Sequence, residues 1–125
     1  MKHWTDKYIG VPYEKKNCAQ LVADVYSDVF DIDVVLPEIP QTLLSRSRVI
    51  DGEMLKYKRL NTPSEGCCVL MKSRGVASHI GVFTTIGVTG HVLHAMQNHG
   101  SSVLTPIAKM RFLGLKIEGF YDCLK

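Results

Sequence analysis

The segment 17–30, with the sequence NCAQLVADVYSDVF, decides how the rest of the chain is interpreted. Its apolar residues recur at the spacing of one face of an amphipathic α-helix. These residues are Cys18, Leu21, Val22, Val25, Tyr26, Val29 and Phe30. Asn17 stands just before them and is a favoured N-cap, because its side chain can accept a hydrogen bond from a free amide of the first turn. We therefore expect a helix from Cys18 to about Phe30 that lies on a core.

The second half of the chain has a different period. Short apolar runs separated by turn-forming residues predict strands at 67–71, 79–86, 91–96 and 115–121, with further candidates at 57–60 and 103–106. Short connections between such strands favour an antiparallel sheet. A second, short helix is expected at 41–49, after the breaks at Pro37 and Pro40, and a helical turn at 107–112. Helices first and strands later indicate an α+β fold.

Size and composition restrict the possible classes of protein. With 125 residues, 46% of them hydrophobic, the chain can bury one core, so we expect a single domain over 1–125. No apolar run approaches the ~20 residues that span a bilayer, so no membrane span is expected. The net charge of +3 is dispersed, and its two small clusters, Lys15-Lys16 and 56–59, do not make a nucleic-acid footprint. A mild positive field would suit an anionic polymer.

The N-terminal segment 1–7 contains no apolar stretch that could form the core of a secretory signal. The expectation is that a signal was removed, or that the protein leaves the cytoplasm by another route or not at all.

The spacing of the four cysteines, Cys18, Cys67, Cys68 and Cys123, argues against a structural role for disulfides or zinc. Cys67 and Cys68 are neighbours and would point to opposite faces of a strand. A chain of this length does not depend on disulfides for its core. A Cys-x-x-Cys pair, the usual start of a tetrahedral zinc site, is absent from the sequence.

Cys18 is a candidate nucleophile because of its place in the first turn of the helix. The positive end of the helix dipole favours the thiolate there and is expected to lower the pKa of the thiol. Free backbone amides at the same position can hold the oxyanion formed when the thiolate attacks a carbonyl. On helix position alone, Cys18 is equally well explained as a small core residue.

Two histidines strengthen the catalytic interpretation. A cysteine peptidase needs an imidazole as general base and a third polar group that orients it. His79 opens one predicted strand and His94 lies in the next. If the two strands pair through the turn at 87–90, the two side chains can meet on one face, whereas His91 should face the opposite way from His94. Asn98 is an alternative orienting residue if the register differs.

The order of these motifs resembles the NlpC family of cell-wall cysteine peptidases. The motifs are the cysteine at the helix start, SHIGV at 78–82 and LHA at 93–95, and the segments GVPY at 10–13, EGCCVL at 65–70 and IEGFY at 117–121 are also similar to the family. The resemblance covers most of the chain, and its compact form looks most like phage or prophage tail-associated members.

The resemblance implies a papain-like fold, with a nucleophile helix packed on an antiparallel sheet. It implies Cys18 as nucleophile, His79 as general base, His94 as the group orienting it, and Tyr13 with its hydroxyl near the thiol or the oxyanion. Members of the family typically hydrolyse the amide between D-glutamate and a diamino acid in peptidoglycan stem peptides, and they need no metal. Delivery by a phage tail or secretion particle would bring such an enzyme, and its partner proteins, to the wall.

The chain departs from the family pattern around the nucleophile. The family usually has Asp-Cys-Ser-Gly, whereas this chain has Asn17-Cys18-Ala19-Gln20, and the expected Trp-Gly-Gly after Tyr13 is replaced by 14–16, with the sequence EKK. These departures bear on the choice of substrate. They leave two alternatives: another thiol amidase or acyltransferase on the same fold, and a non-catalytic structural module of a phage tail. His3, His91 and His99 match no family site, and Cys67, Cys68 and Cys123 are most simply core or edge residues.

Overall fold

A computed structural model describes residues 3–36, 38, 40, 42–96 and 100–123, with Leu43 described by its backbone alone. The chain forms a 3-10 helix (Trp4–Tyr8), α1 (Cys18–Val29), α2 (Leu43–Met54), β1 (Lys58–Leu60), β2 (Cys68–Ser73), β3 (Val76–Ile86), β4 (Thr89–Met96), β5 (Ser101–Pro106), a second 3-10 helix (Ile107–Leu113) and β6 (Leu115–Asp122). The expected α+β fold is confirmed.

The six strands form one sheet in the order β1-β6-β2-β3-β4-β5, and every neighbouring pair is antiparallel. β3 and β4 are joined by a tight turn in which Gly87 has a φ of 64°, a conformation that glycine adopts without steric cost. Their register runs from Ile86 opposite Thr89 to Val82 opposite Leu93. Among the described residues, this register ends at Val82 and Leu93, although β3 begins at Val76 and β4 continues to Met96. The regular β3–β4 pairing therefore ends just before the segments that carry His79 and His94.

Apolar residues cover both faces of the sheet. One cluster, the helix-side core, joins the apolar face of α1 to Ile80 and Val82 of β3 and to Leu93 and Ala95 of β4. The other cluster, the opposite core, contains Phe83, Val92 and Met96 together with residues of β2 and of the second 3-10 helix. The alternation of side chains along each strand explains this division.

The structure extends or corrects several predicted boundaries. α2 is predicted to end near Val49 but continues to Met54, because Ile50 and Met54, one turn apart, are both buried in the helix-side core. Its predicted first residue, Gln41, and the helix-breaking Pro37 lie outside the described residues. The 3-10 helix Trp4–Tyr8 is not predicted from the periodicity.

Trp4 and Tyr8 of this first 3-10 helix pack on the core. The ring centroid of Trp4 lies 5.7 Å from that of Phe30, and Tyr8 is buried in the helix-side core. In the part of the chain that is described, the helices are all too short or too polar to cross a membrane.

Candidate active site

The start of α1 is closed by a reciprocal pair of hydrogen bonds. The amide of Gln20 donates to Oδ1 of Asn17 at 3.0 Å, and the amide of Asn17 donates to Oε1 of Gln20 at 2.9 Å. This is a capping box, and it confirms Asn17 as the N-cap. Two residues that depart from the family pattern thus have a structural reason: they cap the helix whose first residue is Cys18.

The thiol of Cys18 is fully buried, at 0% exposure. Burial raises the pKa of this thiol, while the backbone amides of Ile80, Ala19 and Cys18 itself, together with the charge of Arg46, favour the thiolate and oppose the rise. The expectation that the helix terminus lowers the thiol pKa is therefore wrong for the free protein. Desolvation of the charged form outweighs the amides and the helix dipole.

The hydrogen bond from the Ile80 amide shows where the sulfur lies relative to the sheet. Ile80 follows His79 on β3 and lies beyond Val82, the last β3 residue that is paired in register with β4. Its amide donates to Cys18 Sγ. This hydrogen bond places the thiol of Cys18 beside the backbone of β3, next to His79.

The two histidines come together as predicted. His79 Nε2 lies 2.9 Å from His94 Nδ1, and the two rings are nearly perpendicular at 81°. On its other side, His94 Nε2 lies 3.0 Å from Oγ1 of Thr105, which belongs to β5. His79 is 7% exposed and His94 is 0% exposed, so the whole chain of hydrogen bonds is shielded from solvent.

The spacing of these atoms fixes how protons can be arranged. If Nδ1 of His79 is the acceptor for a thiol proton, Nε2 carries a hydrogen and donates to Nδ1 of His94. His94 then carries its hydrogen on Nε2 and donates to the Thr105 hydroxyl. This is the order of base, orienting group and supporting group that a cysteine peptidase requires. Among the described residues, no hydrogen bond joins the thiol directly to His79.

His79 is neutral at ordinary pH. Burial, and secondarily the charges of His94 and Arg46, lower the pKa of His79 to about 3. A neutral imidazole can accept a proton, so His79 has the protonation state of a general base. The raised pKa of the Cys18 thiol and the lowered pKa of the His79 imidazole, however, both favour the uncharged forms of the two groups.

Gly81 allows the two strands to approach each other closely at the histidine pair. A Cβ at this position would lie 2.7 Å from the carbonyl oxygen of Leu93, 2.7 Å from Cγ1 of Val92 and 3.0 Å from Cβ of His94. A real Cβ atom essentially never lies less than 3.0 Å from another heavy atom such as a backbone carbonyl oxygen. A Cβ at position 81 would therefore force β3 and β4 apart next to His94.

Tyr13 is half-buried and belongs to a segment that runs along β5. The amide of Tyr13 donates to the carbonyl of Gly100 at 2.8 Å, and Gly10 pairs with Ser102 in the same way. Burial raises the pKa of the Tyr13 hydroxyl, ionisation of Cys18 would raise it further, and the charge of Arg46 lowers it. The tyrosine is therefore within electrostatic range of the thiol.

Arg46 is the main residue of the site that the sequence analysis missed. It lies on α2, its Nε donates to the carbonyl of Pro40 at 3.4 Å, and its charge acts on Cys18, His79 and Tyr13 together. Thr105 and Gly81 were also missed as site residues. No local sequence pattern marks either residue as part of a site. Gly81 is visible as the glycine of the SHIGV motif, but nothing beside it in the sequence indicates its close contact with β4.

His3 and His91 make their contacts elsewhere. His3 caps the first 3-10 helix and lies 3.3 Å from Oγ1 of Thr84, and Nδ1 of His91 lies 3.1 Å from the carbonyl of Thr89. His91 faces away from His94, as predicted. Asn98, the alternative orienting residue, and His99 lie outside the described residues.

The four cysteines are buried and carry free thiols. Cys68 belongs to the helix-side core and Cys67 to the opposite core, which confirms that these neighbours face opposite ways. Cys68 Sγ lies 3.8 Å from Sδ of Met54, a packing contact. Among the residues that the structure describes, no group of His, Cys, Asp or Glu side chains is arranged to hold a metal ion.

Comparisons with known proteins give no relative for this chain. It matches no protein-family model, no curated protein and no solved structure. The NlpC resemblance therefore stays a prediction based on the motifs.

Proposed function

We propose that this chain is a cysteine peptidase with a papain-like, NlpC-type fold that hydrolyses an amide bond in peptidoglycan stem peptides. The observation that carries the proposal is the hydrogen-bonded chain His79–His94–Thr105 beyond the end of the paired β3–β4 register, where the Ile80 amide contacts the thiol of a helix-terminal cysteine. Nucleophile, base and orienting group come from three separate elements. Such a convergence has a direct catalytic explanation and no obvious structural one.

In the proposed reaction, His79 takes the proton of Cys18 and the sulfur attacks the carbonyl carbon of the scissile amide. The amide of Cys18 and the hydroxyl of Tyr13 donate to the oxyanion. His79 then gives its proton to the leaving amine as the C–N bond breaks, which leaves a thioester on Cys18. Water, deprotonated by His79, hydrolyses the thioester and restores the thiol. The scheme uses no metal or other cofactor.

The position of His94 explains how one imidazole performs both proton transfers. Its Nδ1 holds Nε2 of His79 at 2.9 Å, so the ring of His79 keeps Nδ1 as the working nitrogen in both steps. Because Cys18 is fully buried in the unliganded protein, substrate binding must expose it. The surrounding low polarity then strengthens the hydrogen bonds to the oxyanion.

The choice of peptidoglycan as substrate comes from the resemblance and from the net charge of +3, which suits an anionic wall polymer. Action at the wall, delivered by a phage tail or a secretion system, belongs to the same proposal. The exact bond within the stem peptide depends on groups around the site that a ligand would contact.

The proposal is tested by incubating purified peptidoglycan and defined muropeptides with the wild-type protein and with Cys18→Ala. Mass spectrometry should show new amine and acid termini with the wild type and none with Cys18→Ala. Cys67→Ala is the matched control, since Cys67 is a buried thiol in the opposite core. It should retain activity if it folds. Turnover by Cys18→Ala would refute the assignment, and products without new termini would indicate acyl transfer instead.

A second candidate function, a non-catalytic module of a phage tail, is favoured by one observation. The thiol is 0% exposed and burial raises its pKa, which is also the state of an inert core cysteine. Alkylation discriminates between the two functions. In a structural module, Cys18 should react with iodoacetamide no faster than Cys67, whose pKa burial raises to about 11.

A further inference from the structure

The positive charge of the protein comes from one stretch of the chain. Residues 66–117 contain five lysines and arginines and no aspartate or glutamate, so the rest of the chain carries a net charge of −2. This stretch forms β2 to β5, the second 3-10 helix and the first residues of β6. The charge that looks dispersed along the sequence therefore belongs to one part of the fold.

Two of these cations lie side by side on neighbouring strands. Lys72 of β2 is directly opposite Lys116 of β6. Directly opposite residues of an antiparallel pair share a face, with their Cβ atoms about 4.5–5.5 Å apart. Leu70, two residues before Lys72 on β2, lies in the helix-side core, so both lysines are on the face of the sheet that carries α1. This is also the face that buries Cys18.

Arg74 adds a third cation at the same end of the sheet. It follows Ser73, the last residue of β2, and Ser73 is directly opposite Leu115, the neighbour of Lys116. Arg74 is exposed and has a φ of 53°. This left-handed conformation is typical of Gly, Asn or Asp in such a turn and is uncommon for a long side chain. The cationic surface consists of Lys72, Arg74 and Lys116.

No ion pair joins the cationic surface to a carboxylate within the described part of the chain. Glu118, the carboxylate nearest to it in sequence, accepts hydrogen bonds from Arg59 Nη1 at 3.0 Å and from the Tyr121 hydroxyl at 3.1 Å. Like charges directly opposite each other on two strands are destabilising, and a left-handed arginine adds strain. Two features that oppose folding therefore fall in one place, which indicates that the positive charge has a function.

We propose that the cationic surface binds the carboxylate groups of peptidoglycan stem peptides and holds the substrate near His79. The inference deepens the proposed function and rests on peptidoglycan being the substrate. Charge complementarity supports it, because a stem peptide with a D-glutamate and a terminal carboxyl group is anionic, and ammonium and guanidinium groups form strong hydrogen bonds with carboxylates. The location supports it as well, since Met71, the residue before Lys72, is directly opposite His79.

The test measures co-sedimentation of the full-length chain with purified peptidoglycan sacculi. The parent protein is Cys18→Ala, or Cys18→Ser if the alanine variant does not fold, so that the sacculi stay intact. Lys72→Gln/Lys116→Gln in this parent should raise the Kd about tenfold at low salt. The difference should shrink as salt is added, because salt screens exposed charges. Sacculi whose carboxylates have been converted to neutral amides should bind the parent as weakly as the double variant binds native sacculi.

The matched control is Lys56→Gln/Lys58→Gln, which removes two positive charges from exposed residues elsewhere. Lys56 pairs with Glu53 at 3.0 Å, and Lys58 is directly opposite Asp122. Because these lysines already have carboxylate neighbours, the Kd for sacculi should stay within about twofold of that of the parent.

Urea unfolding separates binding from a structural role. Lys72→Gln/Lys116→Gln should unfold at a higher urea concentration than the parent, because the repulsion between the lysines is gone. Arg74→Asn should also be more stable, since asparagine tolerates a positive φ, yet it should raise the Kd about threefold. Higher stability with an unchanged Kd in these variants would show a purely structural effect and would overturn the inference.

Two further results would overturn it: an equal loss of binding in Lys56→Gln/Lys58→Gln, and equal binding of the parent to native and amidated sacculi. The outcome is separable from that of the proposed function. If sacculi are bound through the cationic surface but the wild type cuts no muropeptide, the binding surface stands and the peptidase assignment fails. If muropeptides are cut and the variants bind sacculi like the parent, the peptidase assignment stands and the role of the cationic surface fails.

Discussion

Gly81→Ala is the substitution that most directly tests the close approach of β3 and β4 beside the histidine pair. Gly81 does not have a positive φ, so alanine can adopt its backbone conformation and the effect is steric alone. The added methyl group would lie 2.7 Å from the Leu93 carbonyl oxygen, which belongs to the sheet backbone and cannot rotate away. β4 must move relative to β3. Forcing one extra carbon into such a packed site costs about 1–3 kcal/mol of unfolding free energy.

The same displacement should impair catalysis. The methyl group also lies 3.0 Å from Cβ of His94, so the ring that holds His79 at 2.9 Å is pushed away. Misplacing a catalytic group by a fraction of an ångström to one ångström lowers the rate by about tenfold or more. Urea unfolding followed by circular dichroism measures the first effect, and peptide release from peptidoglycan by the folded variant measures the second.

Gly52→Ala is the matched control. Gly52 lies inside α2, and a Cβ there meets nothing within 4 Å. Alanine in a helix interior is more favourable than glycine by about 0.5–1 kcal/mol, so this variant should gain stability and keep its activity. A Gly81→Ala protein whose stability lies within about 0.5 kcal/mol of the wild type would refute the reasoning.

Two further predictions concern the cap of α1 and the pH dependence of stability. Asn17→Ala should lower the unfolding free energy by about 1 kcal/mol, whereas Asn17→Gly should cost only a few tenths, as urea titrations can show; equal losses would argue against a side-chain cap. His79 has a folded-state pKa of about 3 against an ordinary value of 6.5, so below pH 6.5 the unfolded chain binds a proton that the folded protein excludes. The wild type should therefore lose up to about 1.4 kcal/mol per pH unit between these two values. A His79→Gln variant should show a shallower loss, and parallel pH profiles would contradict the burial of a neutral His79.

Much of the secondary structure around the site could be predicted from local patterns. The apolar spacing after Asn17 predicted a helix beginning at Cys18, and the helix does begin there. The alternation of short apolar runs predicted the strands that carry His79 and His94. Such patterns are reliable because the period of burial follows directly from the geometry of a helix or a strand.

The protonation state of the site was predicted with the wrong sign for Cys18. Its place at the helix start suggested a lowered thiol pKa, but complete burial raises it. The dipole is a local property that can be inferred from the chain, whereas desolvation depends on every element that packs around the sulfur. The same cause lowers the pKa of His79.

The amino-acid sequence by itself determined the elements of this protein, the cap that places Cys18 at the first turn of α1, and the pair of strands on which two histidines can meet. Tertiary structure alone decided that the paired register of β3 and β4 ends at Val82 and Leu93, that Thr105 of β5 lies beside His94, and that the thiol of Cys18 is completely buried. The physical reason is range: periodicity and capping act within a few residues, whereas strand register, burial and contacts between distant strands exist only once the chain has packed.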